Sequence, residues 1–452
     1  MQTPRLGEQR RARILVLGGG FAGVYAAYEL QRALADEPVE IAIVNRENFF
    51  VFYPLLPEIV SGAVATESIL NPIRLVVPEA TLYVGEVTAI HLDEHRVDIR
   101  HGLYRHEQQS RTLDYDALVL ALGGLPNTSM IPGLSTYAFD VQRLSTAFSL
   151  RNHLIDVLEQ ADIEADPRRK QALLTFVVIG GGATGVEVVA EIRDLVSDAV
   201  AYYPHIEPDD VRVMLVHSEN RLFPDFPRRT ARYADRLLTK RGVELLYNRR
   251  VVRVERDGVA LDNGAWIPTA TAVAAVGVRP NPLVEDLPVT HDNRGRVVTD
   301  GSLRVPRYPD VWAIGDNASV TDPHTGRPYP QTAQHAVREA RLVAHNIAAT
   351  LRGMPPQLMT YRTIGQMVAL GHRSAIANIR GLAFSGFPAW WLWRTYYLLQ
   401  MPRWSKRARI AMDWTLDMLF PPELVQLKVG QPEPSAGGTT GVRPTGEGAE
   451  RS

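Results

Sequence analysis

The same local pattern occurs twice in this chain, and it restricts the fold more than any other feature. The apolar run Ile14 to Leu17 leads into Gly18, Gly19, Gly20 and Gly23, and the run Phe176 to Ile179 leads into Gly180, Gly181, Gly182 and Gly185. Each run is short, continuous and without alternation, as expected for a strand covered on both faces in a parallel sheet. After each glycine turn, small and apolar residues take up helical spacing. A second apolar run follows, Val39 to Val44 in the first copy and Val211 to Val216 in the second. This is a βαβ unit used twice. Ala117 to Leu122, before Gly123, and Ala270 to Val276, before Gly277, are predicted as a further strand of each unit. Val311 to Ile314 reads as one more strand, ending in Gly315 and Asp316, and Gln331 to Leu351 as a helix.

The chemistry behind the pattern is the binding of a pyrophosphate. Its oxygens must come close to the backbone at a helix N-terminus, where unpaired amides and the helix dipole favour negative charge. Gly18, Gly20 and Gly23 permit the tight turn, the close approach and the helix-to-strand contact; Gly180, Gly182 and Gly185 do the same in the second unit. One such motif is weak evidence. Two, each with a strand before it and a helix after it, indicate two dinucleotide sites. The residue closing the second strand is usually an acid that bonds the adenosine ribose. Here it is Asn45 in the first unit and His217 in the second. Asn45 retains the capacity to bond a ribose hydroxyl, whereas His217 removes the carboxylate that repels a 2'-phosphate.

Length and composition narrow the function. At roughly 150 residues per domain, 452 residues make two or three domains. The 49 basic and 50 acidic residues give a net charge of -1, which excludes a nucleic-acid binder that relies on bulk positive charge. The chain has no cysteine, so disulfides, thiolate metal sites and redox-active cysteine pairs are excluded. No metal site is predicted among the histidines and acids. The run Ile14 to Leu17 is too short for a signal-peptide core, so an intracellular protein is expected. No stretch of eighteen apolar residues escapes charge, which predicts no spanning helix and no proton pumping.

The C-terminal part has a different character. Trp390, Trp391, Trp393, Trp404 and Trp414 are five of the seven tryptophans, and they sit with Tyr396, Tyr397 and Phe387 around a basic run, Arg403 to Arg409. Aromatic side chains collect where one end is wet and the other apolar, and basic runs suit anionic headgroups. Around Trp414, Lys406, Arg409, Asp413 and Asp417 fall on one helical face, and Ala411, Met412, Trp414, Met418 and Leu419 on the other. An amphipathic helix lying in a membrane interface is predicted, with a homodimer contact compatible with the same face. Residues 431–452 lack any large apolar side chain and are expected to be a disordered tail.

These motifs resemble the two-dinucleotide flavoproteins, which carry FAD on the first unit and a nicotinamide cofactor on the second. Gly315 and Asp316 match the family's acid for the flavin ribityl chain, and the segments at Gly123 and Gly277 match its two crossings between domains. Within that family the chain resembles the type II NADH dehydrogenases. The carriers are Asn45 to Phe50, Tyr53 to Leu56, Val60 to Gly62, Gly180 to Glu187, Ala333 to Ala336, Gly365 to Gly371, and the segment from Phe384 onward. The resemblance implies an α/β fold of two Rossmann-like domains, glutathione-reductase-like, with a C-terminal amphipathic helical membrane-contact module. It implies an FAD domain over 11–135 and 292–360, an NAD(P)H domain over 136–291, and a membrane-anchoring or dimerisation module over 361–430. The implied activity is non-proton-pumping transfer of a hydride from NADH, with NADPH also admitted, to FAD and then to a membrane quinone.

In that reading Gly18, Gly20, Gly23, Asn45, Gly123, Ala333 and Asp316 hold FAD, and Gly180, Gly182, Gly185, His217 and Gly277 hold the nicotinamide dinucleotide. Glu187 lies beside the flavin, and Gln334 and His335 belong to the quinone pocket, although Arg338 stands where the family often has a second glutamine. A peripheral homodimer on the cytoplasmic face of the cell membrane is implied. Two other functions remain open to the sequence: a soluble flavoprotein reductase with a ferredoxin-like acceptor, and a membrane-surface NAD(P)H-binding flavin sensor.

Overall fold

The computed structural model describes residues 11–103, 107–224, 226–420 and 423–426. The expected tail over 431–452 lies outside the described residues. Strand β1 (Ala12–Leu17) passes through the first glycine turn into helix α1 (Phe21–Ala33) and then β2 (Val39–Asn45). A short helix α2 (Glu58–Ser61) follows, then β3 (Thr81–Val84) and β4 (Ala117–Leu120). The second unit begins with β5 (Ala138–Asp140) and β6 (Thr175–Ile179), which enters helix α3 (Ala183–Ala199) through the second glycine turn. Next come β7 (Arg212–Val216), α4 (Arg228–Lys240), β8 (Val243–Leu246) and β9 (Thr271–Ala274). The chain then returns with β10 (Arg304–Val305), β11 (Tyr308–Ala313) and α5 (Ala333–Leu351).

Two sheets result, with strand orders β10-β11-β4-β1-β2-β3 and β5-β9-β6-β7-β8. In both, the strand before the glycine turn is central and pairs in parallel on both sides: β1 with β2 and β4, β6 with β7 and β9. Central position explains the sequence pattern, because Leu15, Val16 and Leu17, like Phe176, Val177 and Val178, have no exposed face. The turns therefore open at the C-terminal edge of each sheet, where open α/β sheets bind ligands. Small residues let α1 and α5 pack along one another: Ala22, Ala26 and Ala27 are buried on α1, and Ala336, Ala340 and Ala344 on α5. That contact brings the first turn of α5 to the mouth of the first glycine loop. Strand β11, although later in sequence, lies beside β4 and delivers Asp316 to the same edge.

The C-terminal module departs from the helical expectation. It opens with a three-stranded antiparallel sheet, β12 (Gly365–Ala369), β13 (Ala375–Ile379) and β14 (Leu382–Gly386), before helices α6 (Phe387–Gln400) and α7 (Trp404–Leu419). The tryptophans also divide. Trp390, Trp393 and Trp414 are buried, and only Trp391 and Trp404 among the five face outward. Trp414 packs inward because its Nε1 donates to Glu58 Oε2 at 2.6 Å, and Asp413 accepts from Ser68 Oγ at 2.6 Å. Arg394 is held between the rings of Trp390 and Trp414, at 4.1 and 4.6 Å from their centroids. An aromatic cluster has the same signature in a core as at an interface, and three of these five tryptophans belong to the core. Met412, Leu416, Met418 and Leu419 remain exposed on α7. Among the described residues, no helix is long and apolar enough to cross a membrane.

Candidate active site

The first loop has room only where a ligand needs it. A methyl group on Gly18 or Gly23 would collide with backbone, Ala121 O in one case and Gly18 O in the other, whereas one on Gly20 would meet nothing. Gly18 has φ +110°, a conformation that side chains rarely adopt. The second loop repeats this residue by residue: Gly180 (φ +115°) is closed by Ala275 O, Gly185 by Gly180 O, and Gly182 is open. Both are cradles for an anion at the start of a long helix.

A cleft of about 980 Å³ runs from the first loop. Gly18, Gly20, Asn45, Gly123, Asp316 and Ala333 line it, and Thr184 and Glu187 enter from the second unit. Gly23, Gly180, Gly182, Gly185, His217, Gly277, Gln334 and His335 are not part of its lining. For Gly23 and Gly185 the reason is packing, since both sit against the preceding strand turn. Gly123 and Gly277 are open, left-handed residues (φ +69° and +88°) at the two crossings, where Gly124–Pro126 pairs antiparallel with Val278–Pro280.

The side chains that replace the expected acids both turn back onto their loops. Asn45 Oδ1 accepts from the Gly19 amide at 2.9 Å, and its Nδ2 donates to Glu47 O at 2.8 Å. His217 Nδ1 accepts from the Gly181 amide at 3.1 Å. His217 is buried, and burial holds its pKa below the usual histidine value, so it is neutral at pH 7.

Glu187, near the start of α3, is half-buried at the cleft and accepts from the Ala369 amide of β12 at 3.3 Å. Burial pushes its pKa to about 8; that amide opposes the shift and Glu58 adds to it. It is therefore a protonated carboxyl at neutral pH. Glu191, one turn on, bonds Ser61 Oγ, and burial together with Glu58 raises its pKa well above the ordinary range. Burial also lifts Glu58 to about 7, against the pull of Arg394. Tyr397 of α6 reaches the same region: it packs edge-on to Phe52, and burial and Glu187 both raise its pKa. The spacing of Glu191 four residues after Glu187 was a usable sequence signal. The approach of Tyr397 from the C-terminal module had none.

Asp316 lies at the cleft with its pKa raised by burial. Its neighbours are fixed by two residues that the sequence pattern did not single out. Asn317 accepts from the Gly123 amide at 2.9 Å and donates to Leu120 O at 3.0 Å, and Glu339 accepts from the Gly315 amide at 2.7 Å. On the first turn of α5, Gln334 Oε1 is buried without a partner among the described residues. Arg338 donates to Gln334 O and lies 4.9 Å over the Tyr361 ring. His335, which the resemblance assigns to the quinone pocket, is fixed through both ring nitrogens. It is buried, with Nδ1 2.7 Å from Thr332 Oγ1 and Nε2 3.0 Å from Thr363 Oγ1. Burial, with help from Arg338, depresses its pKa to about 4, so it is a neutral bracing residue.

Two Rossmann-like units sharing one cleft define a two-dinucleotide oxidoreductase. The chain matches the pyridine nucleotide-disulphide oxidoreductase family over residues 12–340 and the NDH2 C-terminal domain over residues 364–421. It is 30% identical over 433 residues to the type II NADH:quinone oxidoreductase of Mycobacterium tuberculosis, covering 92% of this chain and 90% of the relative. With the enzyme of the same name from Staphylococcus aureus it shares 29% identity over 383 residues, 84% of this chain and 92% of the relative. The chain belongs to the type II NADH:quinone oxidoreductases. The structure of NDH2 from Plasmodium falciparum in complex with NADH has the same fold, with a TM-score of 0.83 at 18% identity, covering 92% of this chain and all of that one.

Proposed function

We propose that this chain oxidises NADH, with NADPH also admitted, and reduces a membrane quinone, using FAD on the first loop and the nicotinamide dinucleotide on the second. The observation that carries the reading is the cleft, lined by the first loop and entered from the second unit by Thr184 and Glu187. The residues present fit both cofactors. Gly20 and Gly182 leave open cradles at helix N-termini, Asn45 and Asp316 offer polar groups along the cleft, and Gly123 and Gly277 leave space at the crossings. FAD, when bound, supplies the redox chemistry, taking a hydride from the nicotinamide and returning two electrons to the quinone.

The protein's own residues position and protonate. Gly18, Gly20 and Gly23 would hold the FAD pyrophosphate at the start of α1, and Asp316 the ribityl chain; Gly180, Gly182 and Gly185 would hold the nicotinamide dinucleotide at the start of α3. Forming a quinol from NADH and quinone consumes one proton from solvent. Glu187 is the group to hold it, since its carboxyl is protonated at neutral pH and sits at the cleft. Gln334, whose Oε1 is buried and unbonded, is the residue offered to the quinone. His335 braces the first turn of α5 through Thr332 and Thr363.

The acceptor is reached from a bilayer surface at the cytoplasmic face. The support is the exposed apolar rim of the C-terminal module: Leu382, Phe387 and Trp391, then Leu399, Trp404 and Leu419. The soluble-reductase reading leaves this rim without a role. A homodimer that uses part of the rim is compatible with the same arrangement. Anaerobic flavin absorbance tests the function: NADH should bleach the flavin, and a short-chain quinone should restore it fully. Bleaching with no recovery on quinone addition would contradict the proposal.

A further inference from the structure

Helix α4 belongs to the nicotinamide unit, yet its surface is out of proportion to that role. Arg228, Arg229, Arg232, Arg236 and Lys240 are all exposed. At about 100° per residue, Arg229, Arg232, Arg236 and Lys240 form one stripe. The only acid on the helix, Asp235, falls beyond its far edge and faces Tyr247.

The near edge of the stripe is a seam with the C-terminal module. Tyr233 places its hydroxyl 3.4 Å from Ser374 Oγ and against Gly386, the residue where β14 turns into α6. Arg241, one turn past Leu237, donates to the carbonyls of Leu370, Gly371 and His372. Across this seam, β14 is the edge strand of its sheet, with Leu382 and Phe384 exposed, and Phe387 and Trp391 continue the apolar surface onto α6. Arg380, at the hairpin tip, adds another exposed cation. A cationic stripe thus runs alongside an apolar rim, although the two come from different domains.

We propose that α4 is a second membrane-contact element, its arginine stripe binding anionic phospholipid headgroups while Leu382, Phe384, Phe387 and Trp391 enter the interface beside it. Charge selects the occupant. Cations next to an anionic leaflet strengthen binding about fivefold each, an effect confined to roughly one Debye length of the surface. An apolar rim with no cations would not distinguish charged from neutral lipid. The inference rests on the membrane reading above and adds lipid selectivity, carried by the nicotinamide unit. It also ties that unit to the bilayer, so both halves of the cleft are held at the surface that supplies the quinone.

The test is flotation of the full-length, FAD-loaded protein with phosphatidylcholine vesicles, with and without phosphatidylglycerol. The wild type should prefer the phosphatidylglycerol vesicles, and high salt should remove the preference. The triple variant Arg229→Gln, Arg232→Gln, Arg236→Gln should bind them about 10- to 100-fold more weakly, with flavin content and bleaching by NADH unchanged. The matching Arg→Lys triple variant should retain the preference, which separates charge from damage to the helix. Undiminished phosphatidylglycerol preference in the glutamine variant overturns the proposal. So does a shift from dimer to monomer in that variant with vesicle binding intact, which makes the stripe a contact between copies. If the wild type floats with neither vesicle, the membrane reading itself fails, and this inference fails with it.

Discussion

In the first glycine loop the Gly19 amide is held by Asn45, and in the second the Gly181 amide is held by His217, at nearly equal distances of 2.9 and 3.1 Å. The two loops match glycine for glycine, down to the carbonyls that close over Gly18 and Gly23 in one and Gly180 and Gly185 in the other. They differ in the chemistry of the side chain behind them. An amide oxygen accepts a hydrogen bond at any pH, whereas an imidazole nitrogen accepts only while it is unprotonated. The difference suits the two duties. In the proposed assignment, the loop that keeps FAD through many turnovers has a fixed clamp, and the loop that exchanges its dinucleotide every cycle has one that titrates.

The largest expected effect comes from breaking the first loop. Gly23→Ala puts a methyl group into the Gly18 carbonyl, and the purified protein should have lost most of its flavin, as read from the visible absorbance per chain. Full flavin content in that variant would show that the close helix-to-strand approach is not needed. Next is Glu187→Gln. Bleaching by NADH should persist, while reoxidation by quinone slows by about 100-fold, the scale of a positioned general acid. The sign of the pH dependence follows from the raised pKa: Glu187 carries its proton below about 8, so wild-type reoxidation should decline as pH rises through that value. A flat profile from neutral pH to well above 8 would remove Glu187 as the donor.

The comparison itself is sharpened at His217. Its pKa in the folded chain is lowered from the ordinary value near 6.5, so its bond to Gly181 is fully present above that value and is lost as the pH falls through the lower one. NADH affinity should weaken on mild acidification, by several-fold, while flavin retention does not change. His217→Asn should make the second loop behave like the first and abolish the acid sensitivity of the NADH dissociation constant; an unchanged pH profile would contradict this. The smallest effect on turnover is expected from His335→Ala. It should lower the melting temperature, because it empties the buried site of the imidazole ring and removes its bonds to Thr332 and Thr363, at a cost of about 0.5–3 kcal/mol. Quinone kinetics should barely move, and a large change in the quinone KM with unaltered stability would return His335 to the acceptor site.

The features legible in the sequence are those set by local backbone demands. Gly18 and Gly180 must adopt a left-handed turn, and Gly23 and Gly185 must lie against a strand, so glycine spacing and the flanking apolar runs reveal the loops and the central strands together. Asp316 is legible because it follows closely on a strand and the resemblance carries an acid at that point. What was not legible depends on partners far along the chain. Nothing near Asn317 indicates that it fastens Gly123, and nothing near Glu58 indicates that Trp414 bonds it. The segments of β12, β13 and β14 lack clear alternation, so the sequence does not reveal the sheet in the C-terminal module. Trp390, Trp393 and Trp414 read as interface residues in the sequence because burial in a protein core and burial in lipid favour the same side chains.

The division of labour between the loops is tested most directly by Gly185→Ala, in which a methyl group meets the Gly180 carbonyl of the second loop alone. The measurement is anaerobic flavin absorbance after mixing with NADH or dithionite, and then with a short-chain quinone. The variant should retain its flavin, be bleached by dithionite and recover with quinone at the wild-type rate. Its bleaching by NADH should fall by up to about 100-fold, the cost of overpacking a closed site. Loss of flavin, or equal slowing of the NADH and quinone steps, would mean that the two loops do not serve separate cofactors.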